Sequence, residues 1–216
     1  MPGRKPLSET ELTRVYAALE RGSLRDQALV TLGLHTGYRI TELLSLNVGD
    51  VWDGREVRPQ LKVNRARMKG GRGARRTSIS SRSIPLNGTA VQALRRFLFS
   101  RYGSGPAQPT DPLFSSRFHG KRLTRWGAND IVHRVLIEAG IDDCGDLGTH
   151  TLRKTFCRKI YEKTGRDIQV TRAAMGHRHC STTQLYLHVD EEQIRAAVLA
   201  LSDSTKTSDS LFSVAR

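Results

Sequence analysis

Apolar residues recur at helical spacing along most of this chain, and a glycine repeatedly follows the last apolar position of a run. Because glycine readily adopts the left-handed conformation that ends many helices, each run predicts a helix with a defined end. The predicted ends lie near Gly37, Gly140, Gly165 and Gly176. A capping-box pattern at residues 8–11 predicts where the first helix starts. The chain should therefore be mainly helical.

Three short segments between the helical runs have the composition of β-strands: residues 51–57, 61–68 and 77–85. A glycine-rich turn at residues 69–73 separates the last two. We therefore expect an α+β domain, mainly α with one small antiparallel sheet whose turn projects a run of cations.

The last part of the chain divides into a helix and a tail. Asp190 is placed to cap a final amphipathic helix that carries Ile194 and Val198. Residues 202–216 are rich in serine and threonine, so we expect a flexible C-terminal tail after a domain of residues 1–201.

The charge of the chain is strongly positive. With 35 Lys and Arg against 21 Asp and Glu, the formal net charge is +14, which favours a polyanionic partner. Residues 55–82 hold ten basic residues against one acid, Glu56, so this segment should face phosphate. A solvated basic surface and an RNA-binding protein remain open on charge alone. The expected DNA contacts are Lys62, Arg65, Arg67, Arg72, Arg75 and Arg76.

The sequence holds no signal for a membrane or an export pathway. No apolar run approaches the roughly 18 residues of a membrane span, and the first residues lack a secretory apolar stretch. Three cysteines without a CxxC pair fit reduced thiols. We expect a cytoplasmic protein with no membrane partner.

Three separated clusters hold residues that suit phosphodiester chemistry: residues 36–43 (TGYRITEL), 150–153 (HTLR) and 176–189 (GHRHCSTTQLYLHV). Breaking a phosphodiester requires a nucleophile, donors to the non-bridging oxygens and a proton for the leaving oxygen. Arg39 and Arg153 are fork-shaped donors suited to phosphate.

Two histidines and one glutamate complete the candidate proton and positioning groups. His150 and His177 titrate near neutrality, so each is able to accept a proton or donate a hydrogen bond to phosphate, with a purely structural histidine as the alternative. Glu42 follows Arg39 by three residues and either orients it or is a solvated helix acid.

Tyr186 is the candidate nucleophile. A phenol, with an ordinary pKa of about 10, needs nearby cations or a base to react, and otherwise a tyrosine in a helix is a packing residue. The nine-residue step from His177 favours the nucleophile. A zinc site at residues 177–180 lacks a second ligand pair at a recognisable spacing, so we expect no metal and no cofactor.

Together the three clusters resemble the tyrosine recombinase (phage integrase) family, whose motifs are TGxRxxEL, an HxxR pair, and GH followed nine residues later by tyrosine. The resemblance covers about residues 7–201 and implies the catalytic-domain fold. This chain has Lys154 where HxLRH is common, and Met175 where LGH is usual. The family also uses a lysine on a strand turn as general acid, which Lys69 matches best, with Lys62 as the alternative.

The resemblance implies a site-specific recombinase or integrase that cleaves and rejoins double-stranded DNA through a 3′-phosphotyrosine, without metal or ATP. It also implies a homotetramer on paired sites and allows an accessory DNA-bending or core-binding protein. Members usually carry an N-terminal core-binding domain. Here the first cluster begins at residue 36, close to Met1, so we expect this chain to lack that domain. Two alternatives stay open: a type IB topoisomerase and a non-catalytic DNA-binding regulator.

Overall fold

The computed structural model describes residues 5–67, 81–103, 105, 108–116, 120–141, 147–187, 194–195 and 198–200. Within them lie nine α-helices, a 3-10 turn and a two-stranded sheet. The helices are α1 Glu9–Glu20, α2 Leu24–Thr36, α3 Ile40–Leu44, α4 Val48–Val51, α5 Gly88–Tyr102, α6 Arg125–Glu138, α7 Thr149–Lys163, α8 Ile168–Met175 and α9 Cys180–Gln184. The strands are β1 Gln60–Val63 and β2 Arg82–Pro85.

The helix boundaries follow the sequence signals. The Ser8 hydroxyl accepts the Glu11 N–H at 3.2 Å, and the Glu11 carboxylate accepts the Ser8 N–H at 2.7 Å, so the predicted capping box is present. Gly37 and Gly176 lie in the left-handed region just after α2 and α8. Local backbone preferences therefore determine where these helices end.

In the part of the chain that the structure describes, the sheet has two strands where the sequence predicts three. β1 and β2 pair antiparallel from Gln60–Pro85 to Val63–Arg82. The strand predicted at residues 51–57 is wrong: Val51 ends α4, and only an isolated bridge joins Trp52 to Val57. Asp50 explains the helix, because its carboxylate accepts the Asn47 N–H at 2.7 Å and caps α4. The rest of the predicted hairpin, residues 68–80, lies outside the described residues.

The core surrounds α2, which packs against α5 and α7. Ala28, Leu29 and Leu32 are fully buried, and Leu94 and Leu98 of α5 are buried with them. Burying a leucine side chain contributes about 1.5–3 kcal/mol. Because the packing of α2 against α5 and α7 fixes its position, its C-terminal end also fixes the position of the residues that follow it.

The predicted fold class, mainly α with a small antiparallel sheet, is confirmed. Among the described residues, no helix combines the length and the apolar character needed to cross a membrane. Asp190 and residues 202–216 lie outside them, so the final helix cap and the tail stay predictions.

Candidate active site

Arg39 is placed by the turn that follows α2. Gly37 has φ +57°, and a Cβ there would lie 2.3 Å from Cδ1 of Phe156, so only glycine fits this turn. The chain then reaches Arg39, which is the N-cap residue of α3. Its side chain is 29% exposed, so the guanidinium is accessible from solvent.

Glu42 holds Arg39 by two hydrogen bonds. One carboxylate oxygen accepts the Arg39 backbone N–H at 2.8 Å, and the other accepts Nη1 of the guanidinium at 2.9 Å. The Glu42 side chain is fully buried. Of the two interpretations of Glu42, the structure therefore favours the orienting one over a solvated acid.

Arg153 lies on α7 and is 1% exposed. Nη1 donates to the carbonyl oxygen of Gly37, and Nη2 donates to that of Met175 at 3.0 Å. Nη2 also lies 2.9 Å from Nε2 of His177. Burial is the main cause that lowers the pKa of Arg153, and the positive charge of Arg39 lowers it further. One guanidinium thus joins the ends of α2 and α8 beside Arg39.

His177 follows the C-terminal end of α8 and is 6% exposed. Gly176, at φ +64°, turns the chain so that the imidazole points back to Arg153. On its other side, Nδ1 lies 3.0 Å from Oγ1 of Thr183. Burial first, and then the charges of nearby arginines, lower the pKa of His177 to about 4. The imidazole is therefore neutral at pH 7.

Tyr186 packs beside this pair. Its ring centroid lies 5.2 Å from that of His177, and Cζ of Arg153 and Nζ of Lys154 each lie 6.0 Å from its ring centroid. The half-buried ring rests on the apolar cluster that includes Phe156. The ring of Tyr186 thus lies beside both His177 and the guanidinium of Arg153.

Arg82 was expected to face phosphate with the rest of the basic segment, and this expectation is wrong because the side chain is 6% exposed. Nε donates to the carbonyl oxygen of Ala174 at 2.9 Å, and Nη2 donates to that of Thr36 at 2.6 Å. Its guanidinium lies 4.4 Å from the ring centroid of Tyr38. Burial, and next the charge of Arg153, lower the pKa of Arg82 to about 10. Alternate side chains of a β-strand point to the same face, so Arg82 shares the inward face of β2 with the buried Ile84. This alternation was the sequence signal for the inward position of Arg82.

The Tyr38 ring packs against the guanidinium of Arg82, and its hydroxyl is held by backbone carbonyls. Its hydroxyl is 2.6 Å from the Arg82 carbonyl oxygen and 3.0 Å from that of Leu61. Burial raises the pKa of Tyr38 to about 12, which makes it a poor nucleophile.

Two guanidinium nitrogens of the cluster are buried without a hydrogen-bond partner in the described part of the chain: Nη1 of Arg82 and Nε of Arg153. Buried donors are normally satisfied. Of the two, Nε of Arg153 belongs to the guanidinium beside Arg39 and suits an anionic acceptor such as a phosphate oxygen.

The other predicted site residues are exposed, ion-paired or outside the described residues. His150 is exposed on the first turn of α7, one turn before Arg153, and Lys62 is exposed on β1. Arg67 pairs with Asp50, which reduces its availability to DNA. Where the structure describes the chain, no three His, Cys, Asp or Glu residues are grouped to hold a metal ion. Outside the described residues lie Lys69, Arg72, Arg75, Arg76 and the side chain of Arg65.

The chain belongs to the phage integrase family, whose sequence profile matches residues 5–193. A tyrosine recombinase XerC of Herpetosiphon aurantiacus is 32% identical over 170 residues, which cover 79% of this chain and 50% of that protein. A tyrosine recombinase XerD of Staphylococcus epidermidis is 31% identical over 191 residues, 86% of this chain and 59% of that protein. The chain thus spans about half the length of these relatives.

Solved structures give the same fold. The crystal structure of XerA recombinase has a TM-score of 0.70 at 24% identity, over 93% of this chain and 64% of that one. XerH site-specific recombinase bound to its difH substrate, in a pre-cleavage complex, has a TM-score of 0.65 at 23% identity, over 90% of this chain and 53% of that one. The predicted tyrosine recombinase fold is therefore confirmed.

Proposed function

We propose that this chain is the catalytic domain of a site-specific DNA recombinase or integrase that cleaves and rejoins double-stranded DNA. The observation that carries the proposal is the meeting of Tyr186, His177 and Arg153 in one cluster beside Arg39. Its relatives named as tyrosine recombinases support the same activity.

In the proposed reaction, Oη of Tyr186 attacks the scissile phosphorus. The bond from phosphorus to the 5′ oxygen breaks, a 3′-phosphotyrosine forms, and the 5′ oxygen leaves as a hydroxyl after gaining a proton. The 5′ hydroxyl of a partner duplex then attacks the same phosphorus and releases the tyrosine. Arg39 and Arg153 stabilise the charge that builds on the non-bridging oxygens.

His177 is proposed to accept the phenol proton. His177 is neutral at pH 7, and the one lone pair of Nε2 accepts a hydrogen bond from Arg153. Nε2 therefore takes the phenol proton as this hydrogen bond is released. His150 is the second proposed proton-handling group. The proton for the leaving oxygen is assigned to Lys69, with Lys62 as the alternative.

The reaction exchanges one phosphodiester for another, so it requires no ATP, and the arginines take the part that a metal ion would play. The catalytic domain is proposed to span residues 1–201 and to act as a homotetramer on paired sites. An accessory DNA-bending or core-binding protein would supply further contacts to DNA.

The test uses a nicked duplex whose cleaved fragment diffuses away, which traps the covalent complex for a denaturing gel. The wild-type chain should form this complex with EDTA present, and Tyr186→Phe should form none while still binding DNA. Tyr161→Phe, a half-buried tyrosine of α7, is the matched control and should retain the complex.

Each contrary outcome identifies a different error. Covalent trapping of Tyr186→Phe would refute the nucleophile assignment, and rescue of an EDTA-treated protein by zinc or magnesium would refute the metal-free mechanism. Relaxation of supercoils without recombinants would indicate a topoisomerase. Binding without any covalent complex would indicate a regulator.

A further inference from the structure

Both ring nitrogens of His177 are held by side chains from other helices. Nε2 lies 2.9 Å from Nη2 of Arg153 on α7, and Nδ1 lies 3.0 Å from Oγ1 of Thr183 on α9. The imidazole is thus fixed between two partners, which determines the nitrogen that faces the arginines.

The chemistry of the partners determines the position of the ring proton. A guanidinium has donors only, so Nε2 must accept. A neutral imidazole carries one proton, which therefore resides on Nδ1 and is donated to Thr183. The Thr183 hydroxyl, unlike the guanidinium, is able to accept this bond.

Thr183 also holds Tyr186. Its backbone carbonyl oxygen accepts the Tyr186 N–H at 2.9 Å, while its side chain bonds His177. Thr183 is fully buried, so water does not compete for its hydroxyl. One residue thus sets the separation of the two groups between which the proposed proton transfer occurs.

We propose that Thr183 is a positioning residue that holds His177 as the Nδ1-protonated tautomer with Nε2 directed at Arg153. Its catalytic consequence rests on the proposed function, whereas the tautomer is a property of the DNA-free protein. Thr182 provides the comparison: it is half-buried on the same helix, and its side chain makes no hydrogen bond within the described part of the chain.

The first measurement is NMR of the full chain labelled with 15N-histidine, without DNA, with His177 assigned through His177→Gln. Wild type, Thr183→Ser and Thr182→Val should show a protonated Nδ1 and an unprotonated Nε2. Thr183→Val, which is isosteric but lacks the hydroxyl, leaves the buried Nδ1–H without an acceptor. The ring should then turn away from Arg153, and its two nitrogen signals should average. Wild-type signals in Thr183→Val would overturn the proposal.

The second measurement is the rate of covalent complex formation on the nicked duplex. Thr183→Val should be slower by about ten- to a hundredfold, the range seen when a hydrogen-bond partner that orients a metal-binding histidine is removed. DNA binding should be unchanged, and Thr183→Ser should recover most of the rate. A shifted NMR signal with an unchanged rate would overturn the positioning role.

The two measurements also separate this proposal from the proposed function. If the wild-type chain formed no covalent complex, the proposed function would fail, and the NMR comparison would still decide whether Thr183 holds the His177 ring in this orientation. Equal loss of rate in Thr183→Val and Thr183→Ser would show that the hydroxyl is not the cause and would overturn the proposal.

Discussion

Arg82 and Arg153 bridge the carboxyl ends of the same two helices. Arg82 donates to the carbonyl oxygens of Thr36 in α2 and Ala174 in α8, and Arg153 donates to the next residue of each chain segment. Carbonyls at a helix end lack partners within the helix and carry the negative end of its dipole. The two guanidinium groups satisfy these carbonyls and hold together the turns that carry Arg39 and His177.

Arg82→Met should lower the free energy of unfolding by about 2–4 kcal/mol, because it leaves buried carbonyl oxygens without donors. Urea denaturation measures this change. Arg96→Met, an exposed arginine of α5, should change it by no more than about 0.5 kcal/mol. Equal stability of the two variants would show that the Arg82 bridge contributes nothing net.

Glu42→Gln should slow covalent complex formation by about tenfold or more, since a charge-assisted hydrogen bond contributes about 1.5–3 kcal/mol. The substitution puts an NH2 group in place of one carboxylate oxygen. Its hydrogens then face either the Arg39 backbone N–H or the Arg39 guanidinium, and both of these are donors themselves. Single-turnover cleavage of the nicked duplex measures the effect. Glu20→Gln, at the exposed end of α1, should react at the wild-type rate. If both variants reacted alike, Glu42 would not orient Arg39.

Acid should destabilise the protein in part through His177. Its pKa is about 4 in the folded chain, against about 6.5 when unfolded. Between these values the unfolded chain binds a proton that the folded chain does not, so the free energy of unfolding falls as the pH falls through this window. Urea denaturation at about pH 7 and about pH 5 should show a smaller decrease for His177→Gln than for wild type. Equal decreases would place the histidine in water rather than in the cluster.

DNA binding by this chain should depend steeply on salt, because each neutralised phosphate releases counterions. Random and cognate duplexes should bind within roughly tenfold of one another at fixed salt, below the 10³ or more of dedicated specific binders. Lys62→Gln should reduce the salt slope by about 1, as expected for one lost phosphate contact, and Lys163→Gln on α7 is the control. A thousandfold preference for one duplex would mean that this chain reads base sequence by itself.

Local patterns were sufficient for much of the fold. The capping box at Ser8 and the glycines that end α2 and α8 depend on residues within a few positions of one another, and all appear where the sequence predicts them. The three motifs likewise predicted Arg39 and Tyr186 as site residues, and these lie beside the same buried arginine.

Tertiary structure decided what depends on distant parts of the chain. In the sequence, Arg82 looks like the other cations of the basic segment. Its hydrogen-bond partners lie 46 and 92 residues away, and only folding brings their carbonyls to it. The same holds for Thr183. Its proposed role depends on a hydrogen bond to His177, and the other nitrogen of that histidine is bonded by Arg153 from another helix. Sequence spacing determines helix ends because backbone conformation is local, whereas burial, hydrogen-bond partners and pKa depend on the packed neighbours.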